Sequence, residues 1–289
     1  MITLTIRHTT LYRYRLPVWL GPHRLMLRPR ESRELRLISS DVTITPAASL
    51  SWAHDVFGNA VATASFKDMT DRLSIASVAV LELSASAWPV FDIAASAISY
   101  PFRYSDDEWS ALGSLAVPIH PDPTGRLAAW ARGFVRGSST DTLAMLKDLH
   151  TGVPEAVRYQ SREEEGTQTP LQTLDRGWGS CRDLAVLFVE AARSLGLGAR
   201  IISGYFYNPD RQSASVGSTH AWAEIYLPGA GWITFDPTNR SVGGSNLIPV
   251  AVARGIAQAM PVTGSFTGMT DAFLDMSVGV DVTSTRRAA

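Results

Sequence analysis

The chain has 289 residues, 45% of them hydrophobic and 18% charged, with a formal net charge of -1. That balance supplies a packed core for one large or two modest domains, excludes wholesale disorder, and gives no bulk attraction to nucleic acid or an anionic membrane. The single cysteine, Cys181, excludes an intramolecular disulfide and a cysteine-rich zinc site, so neither a metal nor a cofactor is expected.

The first hundred or so residues read as β. Ile2, Leu4 and Ile6 alternate with polar residues, and this start lacks the unbroken apolar stretch of a signal peptide. No segment reaches the ~18 apolar residues of a membrane span. With a lone thiol that suits a reducing compartment, a cytoplasmic location is the expectation. Short strands are predicted over Leu35–Ile38, Asp41–Ile44, Val61–Phe66 and Ile75–Leu83, separated by turn signals at Phe57-Gly58-Asn59 and Trp88-Pro89. Their spacing predicts a β-sandwich-like domain over residues 1–115.

Pro101, Pro118, Pro121 and Pro123 then punctuate a polar stretch that reads as a linker. Helices are predicted over Gly125–Arg136 and Asp141–Leu149, the second capped by Thr140 or Asp141. Gln160–Thr169 reads as a loop. A strong helix is predicted from Ser180 to Gly196, then a strand over Ala199–Phe206 and a mobile loop over Asn208–Ser218. His220–Leu227 and Trp232–Phe235 form a hairpin across Pro228–Gly231, and a last strand covers Phe273–Val282 before a tail, disordered from Thr283. Helices followed by strands predict an α+β core over residues 116–289.

Three stretches carry chemistry. In Gly177–Asp183, Ser180 and Asp183 have capping-box spacing, and Leu184, Leu187, Phe188, Ala191 and Leu195 recur at helical intervals. Cys181 therefore sits in the first turn of a buried helix, where free amides and the dipole favour a thiolate and can hold an oxyanion. In Thr219–Tyr226, strand alternation sets His220, Trp222, Glu224 and Tyr226 on one face. Asp236, at the end of the return strand, falls opposite roughly residues 222 to 224. There its carboxylate can orient the His220 imidazole, whose other nitrogen takes the thiol proton. His8, His23, His54, His120 and His150 have no comparable surroundings.

These stretches together resemble bacterial transglutaminase-like proteins. The resemblance rests on Gly179-Ser180-Cys181-Arg182-Asp183, Arg193 through Arg200, Ser203-Gly204-Tyr205, His220-Ala221-Trp222, and Gly231-Trp232 through Asp236-Pro237-Thr238. In the N-terminal half, Tyr12-x-Tyr14, Pro17-Val18, Leu25–Arg30 and Asp55-x-Phe57-Gly58-Asn59 are similar to the β module that precedes this core in bacterial members. Arg182 stands where many relatives carry glutamine, and Arg254-Gly255-Ile256 lacks the usual Gly-Arg-Asp order. The resemblance implies a papain-like α+β core behind a β domain, a Cys181–His220–Asp236 triad, and acyl transfer on a protein or peptide amide through a thioester. By analogy with the family's aromatic donors, Tyr159 is an oxyanion candidate. Trp178 and Trp222 are candidates to line the thiol and substrate. Water as acceptor makes a peptidase or amidase, and an amine makes a transglutaminase. The competing expectation is an inactive core serving as a binding or scaffold protein. No His-x-x-x-His supports a metal hydrolase, and oligomeric state is left open.

Overall fold

A computed structural model describes residues 1–162, 166–209 and 218–285. The N-terminal half forms two antiparallel sheets. In the first, β1 (Ile2–Leu20) pairs with β6 (Met69–Leu83), which pairs with β3 (Leu35–Thr45). The two short strands expected at 35–38 and 41–44 are one strand, with a bulge between Leu37 and Ser39 where the break was expected. In the second sheet, β2 (His23–Leu25), β5 (Ala60–Ser65) and β4 (Ser49–His54) lie in that order. Alternation along β1 turns Leu4, Ile6, His8, Thr10 and Tyr14 inward and leaves Arg7, Thr9, Arg13 and Arg15 exposed. Tyr14, Val18 and Leu73 from one sheet share a buried cluster with Leu25, Ala62 and Ala64 from the other.

The end of the chain corrects two expectations. β16 (Val262–Thr263) pairs with β2, while β17 (Phe266–Thr267) and β18 (Phe273–Thr285) pair with β1. The last strands therefore return to the N-terminal sheets instead of staying with a core spanning 116–289. The expected tail from Thr283 is ladder through Thr285, with Thr283 to Thr285 opposite Thr5 to Thr3. The physical reason is the free edge of β1: Val280 and Val282 pair with His8 and Ile6 and extend its inward apolar face. Residues 286–289 of that tail, and 210–217 of the loop expected at Asn208–Ser218, lie outside the described residues.

The stretch read as a linker contains β7 (Ser99–Tyr100) and α1 (Asp106–Leu112), whose Ser105 and Glu108 form a reciprocal cap. Then follow α2 (Arg126–Arg132), β8 (Thr140–Asp141) and α3 (Thr142–Ala156), the last capped by Asp141, which accepts from the Ala144 amide at 2.7 Å. β9 (Arg158–Tyr159), α4 (Pro170–Arg176) and β10 (Trp178–Gly179) lead to α5 (Cys181–Ser194). α4 lies between the loop expected at Gln160–Thr169 and the helix expected from Ser180, in a stretch where no element was predicted; Thr169 and Gln172 cap it.

α5 is the axis of the core: every residue from Asp183 to Arg193 is buried. It packs on a five-stranded antiparallel sheet in the order β14 (Ser241–Val242), β13 (Gly231–Asp236), β12 (Ser218–Leu227), β11 (Ala199–Phe206), β15 (Leu247–Ala253). Leu184, Leu187, Phe188 and Ala191 meet Ala223, Ile225, Ile233 and Phe235 there. Deleting a ring such as Phe188 from this packing costs about 3–5 kcal/mol. The buried Arg193 guanidinium donates to Glu190 at 2.7 Å and to the Ala199 and Arg254 carbonyls, while Glu190 accepts the Ile119 and His120 amides. A buried pair satisfied on all sides fixes α5 against the sheet and the 113–120 segment. Across the other sheet face, Leu4, Ile6 and Leu81 of the N-terminal half pack with Tyr205, Ile248 and Val250. Among the described residues no helix is long and apolar enough to cross a membrane.

Candidate active site

Gly179, Ser180 and Asp183 build the start of α5. The Asp183 carboxylate is fully buried; one oxygen accepts the Ser180 amide and hydroxyl, both at 2.8 Å. Its other oxygen accepts the Gln168 amide at 2.7 Å and Arg162 at 3.3 Å. Asp183 thus holds the helix start and ties the 160–168 segment to it. A Cβ on Gly179 would lie 2.8 Å from the Asp183 Cβ, so the chain enters the helix through glycine. Cys181 is then the first residue of α5, half-buried, with its thiol against His220 and the Ala221 amide near the start of the central strand β12.

His220 lies on β12 opposite Gly204 of β11. Its buried imidazole stacks on Trp222 at 5.9 Å between ring centroids, with Phe206 tilted against it at 5.7 Å. Gly204 makes room for this layer: a Cβ there would come within 2.8 Å of the Trp222 ring and 2.1 Å of the Ile248 carbonyl oxygen. Trp222 itself is 1% exposed, so it supports the imidazole from behind instead of lining a substrate surface.

Asp236 ends β13. Phe235 pairs with Ala223, which puts Asp236 next along, beside the His220–Trp222 face. Its Oδ2 is 2.7 Å from His220 Nε2 and accepts from Asn239 Nδ2 at 2.7 Å; its Oδ1 accepts the Thr238 and Asn239 amides. Burial opposes ionisation of this carboxyl, but the hydrogen bonds from His220 and Asn239 and the imidazolium charge hold it below the usual range. With Nε2 committed to Asp236, Nδ1 is the nitrogen left for the sulfur, and the thiol and imidazole are mutual hydrogen-bond partners.

The electrostatics follow. Burial alone would raise the Cys181 pKa; the hydrogen bond and charge of His220, the Ala221 amide and the Arg182 charge outweigh it and lower the thiol. Burial alone would lower His220; the hydrogen bonds to Asp236 and Cys181 reverse this and push it up to about 9. Both shifts favour the charged forms of the pair, thiolate and imidazolium.

Tyr159 and Trp178 flank this centre. β9 and β10 are parallel, with Gly179 beside Tyr159 and Trp178 beside Arg158. Tyr159 is 52% exposed, and both burial and the Cys181 charge raise its phenol pKa. Trp178 is half-buried, with the Arg176 guanidinium 5.6 Å from its ring. Two residues given no role in the sequence also belong here. Asn239 clamps Asp236, and its place three residues after the aspartate in a turn was the available signal. His150, buried on α3 between Phe188 and Phe235, faces Asp236; burial lowers its pKa, and Asp236 opposes that shift. Its signal was helical spacing with Leu146 and Val153. Among the described residues no cluster of three His, Cys, Asp or Glu side chains is arranged to hold a metal ion.

A buried Asp–His pair beside a half-buried cysteine at a helix start defines a thiol centre on an α+β core. Residues 128–237 match the transglutaminase-like superfamily, and residues 4–82 match the bacterial transglutaminase-like N-terminal region. The chain thus carries a transglutaminase-like core over residues 128–237 behind a bacterial transglutaminase-like N-terminal region over residues 4–82. It is 25% identical to the uncharacterized protein ML0607 of Mycobacterium leprae over 97% of this chain and 99% of that protein. It is 24% identical to a protein-glutamine gamma-glutamyltransferase of Pseudomonas aeruginosa over 51% of this chain but 22% of that protein. A crystal structure of a candidate cysteine protease from Cytophaga hutchinsonii superposes with a TM-score of 0.77 at 19% identity, covering 100% of this chain and 92% of that one, and shares the fold.

Proposed function

We propose that this protein is a cysteine-dependent acyl-transfer enzyme acting on amide bonds of proteins or peptides. The observation that carries the reading is the His220–Asp236 hydrogen bond of 2.7 Å beside a lowered Cys181 thiol. Cys181 Sγ attacks the amide carbonyl carbon, forming the C–S bond and placing charge on the carbonyl oxygen. The amide at the start of α5 stabilises that oxygen, with Tyr159 as the second donor. The His220 imidazolium passes its proton to the amide nitrogen, the C–N bond breaks, and an amine leaves a thioester on Cys181. Neutral His220 then takes a proton from water or an incoming amine, whose attack releases acid or new amide and restores the thiolate. Asp236 keeps the ring oriented and supports its charge at both stages. Water as acceptor gives a peptidase or amidase; a lysine-like amine gives a transglutaminase. We place the reaction in the cytoplasm, where a lone nucleophilic cysteine stays reduced.

The test is capture of the acyl-enzyme. The protein is incubated with a glutamine-containing peptide library with and without a primary amine, quenched in acid, and analysed by intact mass. An adduct on wild-type protein that is absent from Cys181→Ala supports the reading. Turnover that survives Cys181→Ala overturns it.

A further inference from the structure

β3 and β18 lie at opposite edges of the first sheet, and they are built differently. β3 is broken by its bulge between Leu37 and Ser39, one of the devices by which natural sheets spoil an edge. β18 runs in unbroken register with β1 from Asp275 to Thr285 and carries no lysine, arginine or proline. Among the described residues only β1 pairs with it, which leaves one row of its backbone groups without a strand partner.

The inward face of β18 is covered along only part of its length. Met276, Val278, Val280 and Val282 share the face that alternation turns inward, opposite Tyr12, Thr10, His8 and Ile6. Val280 is 5% exposed, and Val282 packs on the same buried cluster. Met276 and Val278 are 48% and 46% exposed. An apolar stripe therefore starts in the core and continues into solvent beside an open ladder.

A second copy related by a two-fold axis matches this pattern. An axis through Gly279, normal to the sheet, sets β18 antiparallel to itself. Met276 then lies opposite the partner subunit's Val282, and Val278 opposite the partner subunit's Val280. Each uncovered apolar residue meets a covered one. Asp275, already paired with Arg13 at 2.6 Å, falls opposite the partner subunit's Thr283, and Asp281 opposite the partner subunit's Ser277. An axis one residue earlier, at Val278, sets Asp275 against the partner subunit's Asp281, a destabilising like-charge pair. An axis one residue later, at Val280, sets Met276 against the partner subunit's Ser284. Gly279 has no side chain to crowd the crossing. We propose that this protein is a homodimer in which two β18 strands pair antiparallel across a two-fold axis at Gly279, joining the two N-terminal sheets into one. The pairing closes both edges at once and does not depend on the reaction at Cys181.

The test begins with sedimentation equilibrium of the full chain, which is expected to give twice the chain mass at about 100 μM. Val278→Lys sets a charge into the stripe twice per dimer and is expected to weaken association about tenfold or more. Its circular dichroism should match wild type, because position 278 is half-exposed in the single chain. A second measurement does not rely on that variant. Cys181→Ala with Gly279→Cys is expected to form an intermolecular disulfide on mild oxidation, since the axis brings the two positions within the ~7 Å Cα reach of a disulfide. A Cβ at Gly279 has nothing within 4 Å, so the change is tolerated in the single chain. Cys181→Ala with Ser277→Cys is not expected to cross-link, because the two positions lie about 14 Å apart along the ladder. A monomer at the same concentration, a dimer that Val278→Lys leaves unchanged, or equal cross-linking at the two positions overturns the proposal.

Discussion

His220 Nε2 and Asp236 Oδ2 lie 2.7 Å apart on neighbouring antiparallel strands, and both side chains are buried. Pairing of Phe235 with Ala223 sets this distance, so the hairpin register itself delivers the carboxylate to the imidazole. Asp236→Asn keeps the shape but removes the charge and the preference for the reactive tautomer. We expect kcat to fall by about 10⁴, the scale of the equivalent change in a serine triad, with a small change in KM. Steady-state assay of peptide turnover checks the split.

Asn239 donates to the same carboxylate oxygen as His220 and approaches Nε2 at 3.3 Å. Asn239→Ala removes one hydrogen bond to a charged group, worth about 1.5–3 kcal/mol. The expected outcome is a loss of activity smaller than for Asp236→Asn, with the acidic limb of the pH–rate profile moved upward, because the lowered Asp236 loses support. A profile that only scales down, with its limbs unmoved, would show that Asn239 shapes the turn and does not support the charge.

Gly204→Ala tests the layer beneath the imidazole. The added methyl meets the Ile248 carbonyl and the Trp222 ring, and both belong to packed strands. Overpacking of this kind costs about 1–3 kcal/mol. Urea denaturation should show a lower midpoint, and activity should fall because Trp222 carries His220.

Stability should report the pair through its pH dependence. A raised His220 contributes stability that is complete below its unfolded pKa of about 6.5 and lost as pH rises through the folded value of about 9. A lowered Cys181 contributes stability that is present above the unfolded thiol pKa and lost as pH falls through the folded one. The two terms oppose each other between about 6.5 and the thiol range near 8.5. Wild-type melting temperature should therefore be nearly flat there. Cys181→Ala should uncover the His220 term, with Tm falling as pH rises from about 6.5. Adding His220→Gln to that variant should flatten the curve again. Circular dichroism melts at closely spaced pH values check all three proteins.

Local signals carried much of this site into the sequence. Ser180 and Asp183 mark the helix start, Gly196 with φ 80° marks its end, and the alternation around His220 gives its strand. These depend on residues within one turn or one hairpin. What escaped depends on distant partners. β18 pairs with β1 across some 270 residues of sequence, and nothing in Phe273–Thr285 names the strand it will join. α1 and α4 are seven-residue helices, too short for a clear period, and only their caps at Ser105 and Thr169 announce them. Trp222 faces the same side as His220, as alternation requires, yet β11 and β15 cover it, a layer visible only in three dimensions. His150 has no distinguishing surroundings in the sequence, and its place near Asp236 appears only when α3 is laid beside β13.

The most direct measurement of the thiolate–imidazolium pair is the rate of Cys181 alkylation by iodoacetamide as a function of pH, with the modified peptide confirmed by mass spectrometry. For wild-type protein the rate should already be high well below the free-thiol range near 8.5, and His220→Ala should return its inflection to that range or above. An inflection at the free-thiol value in wild-type protein, unmoved by His220→Ala, would contradict the pair.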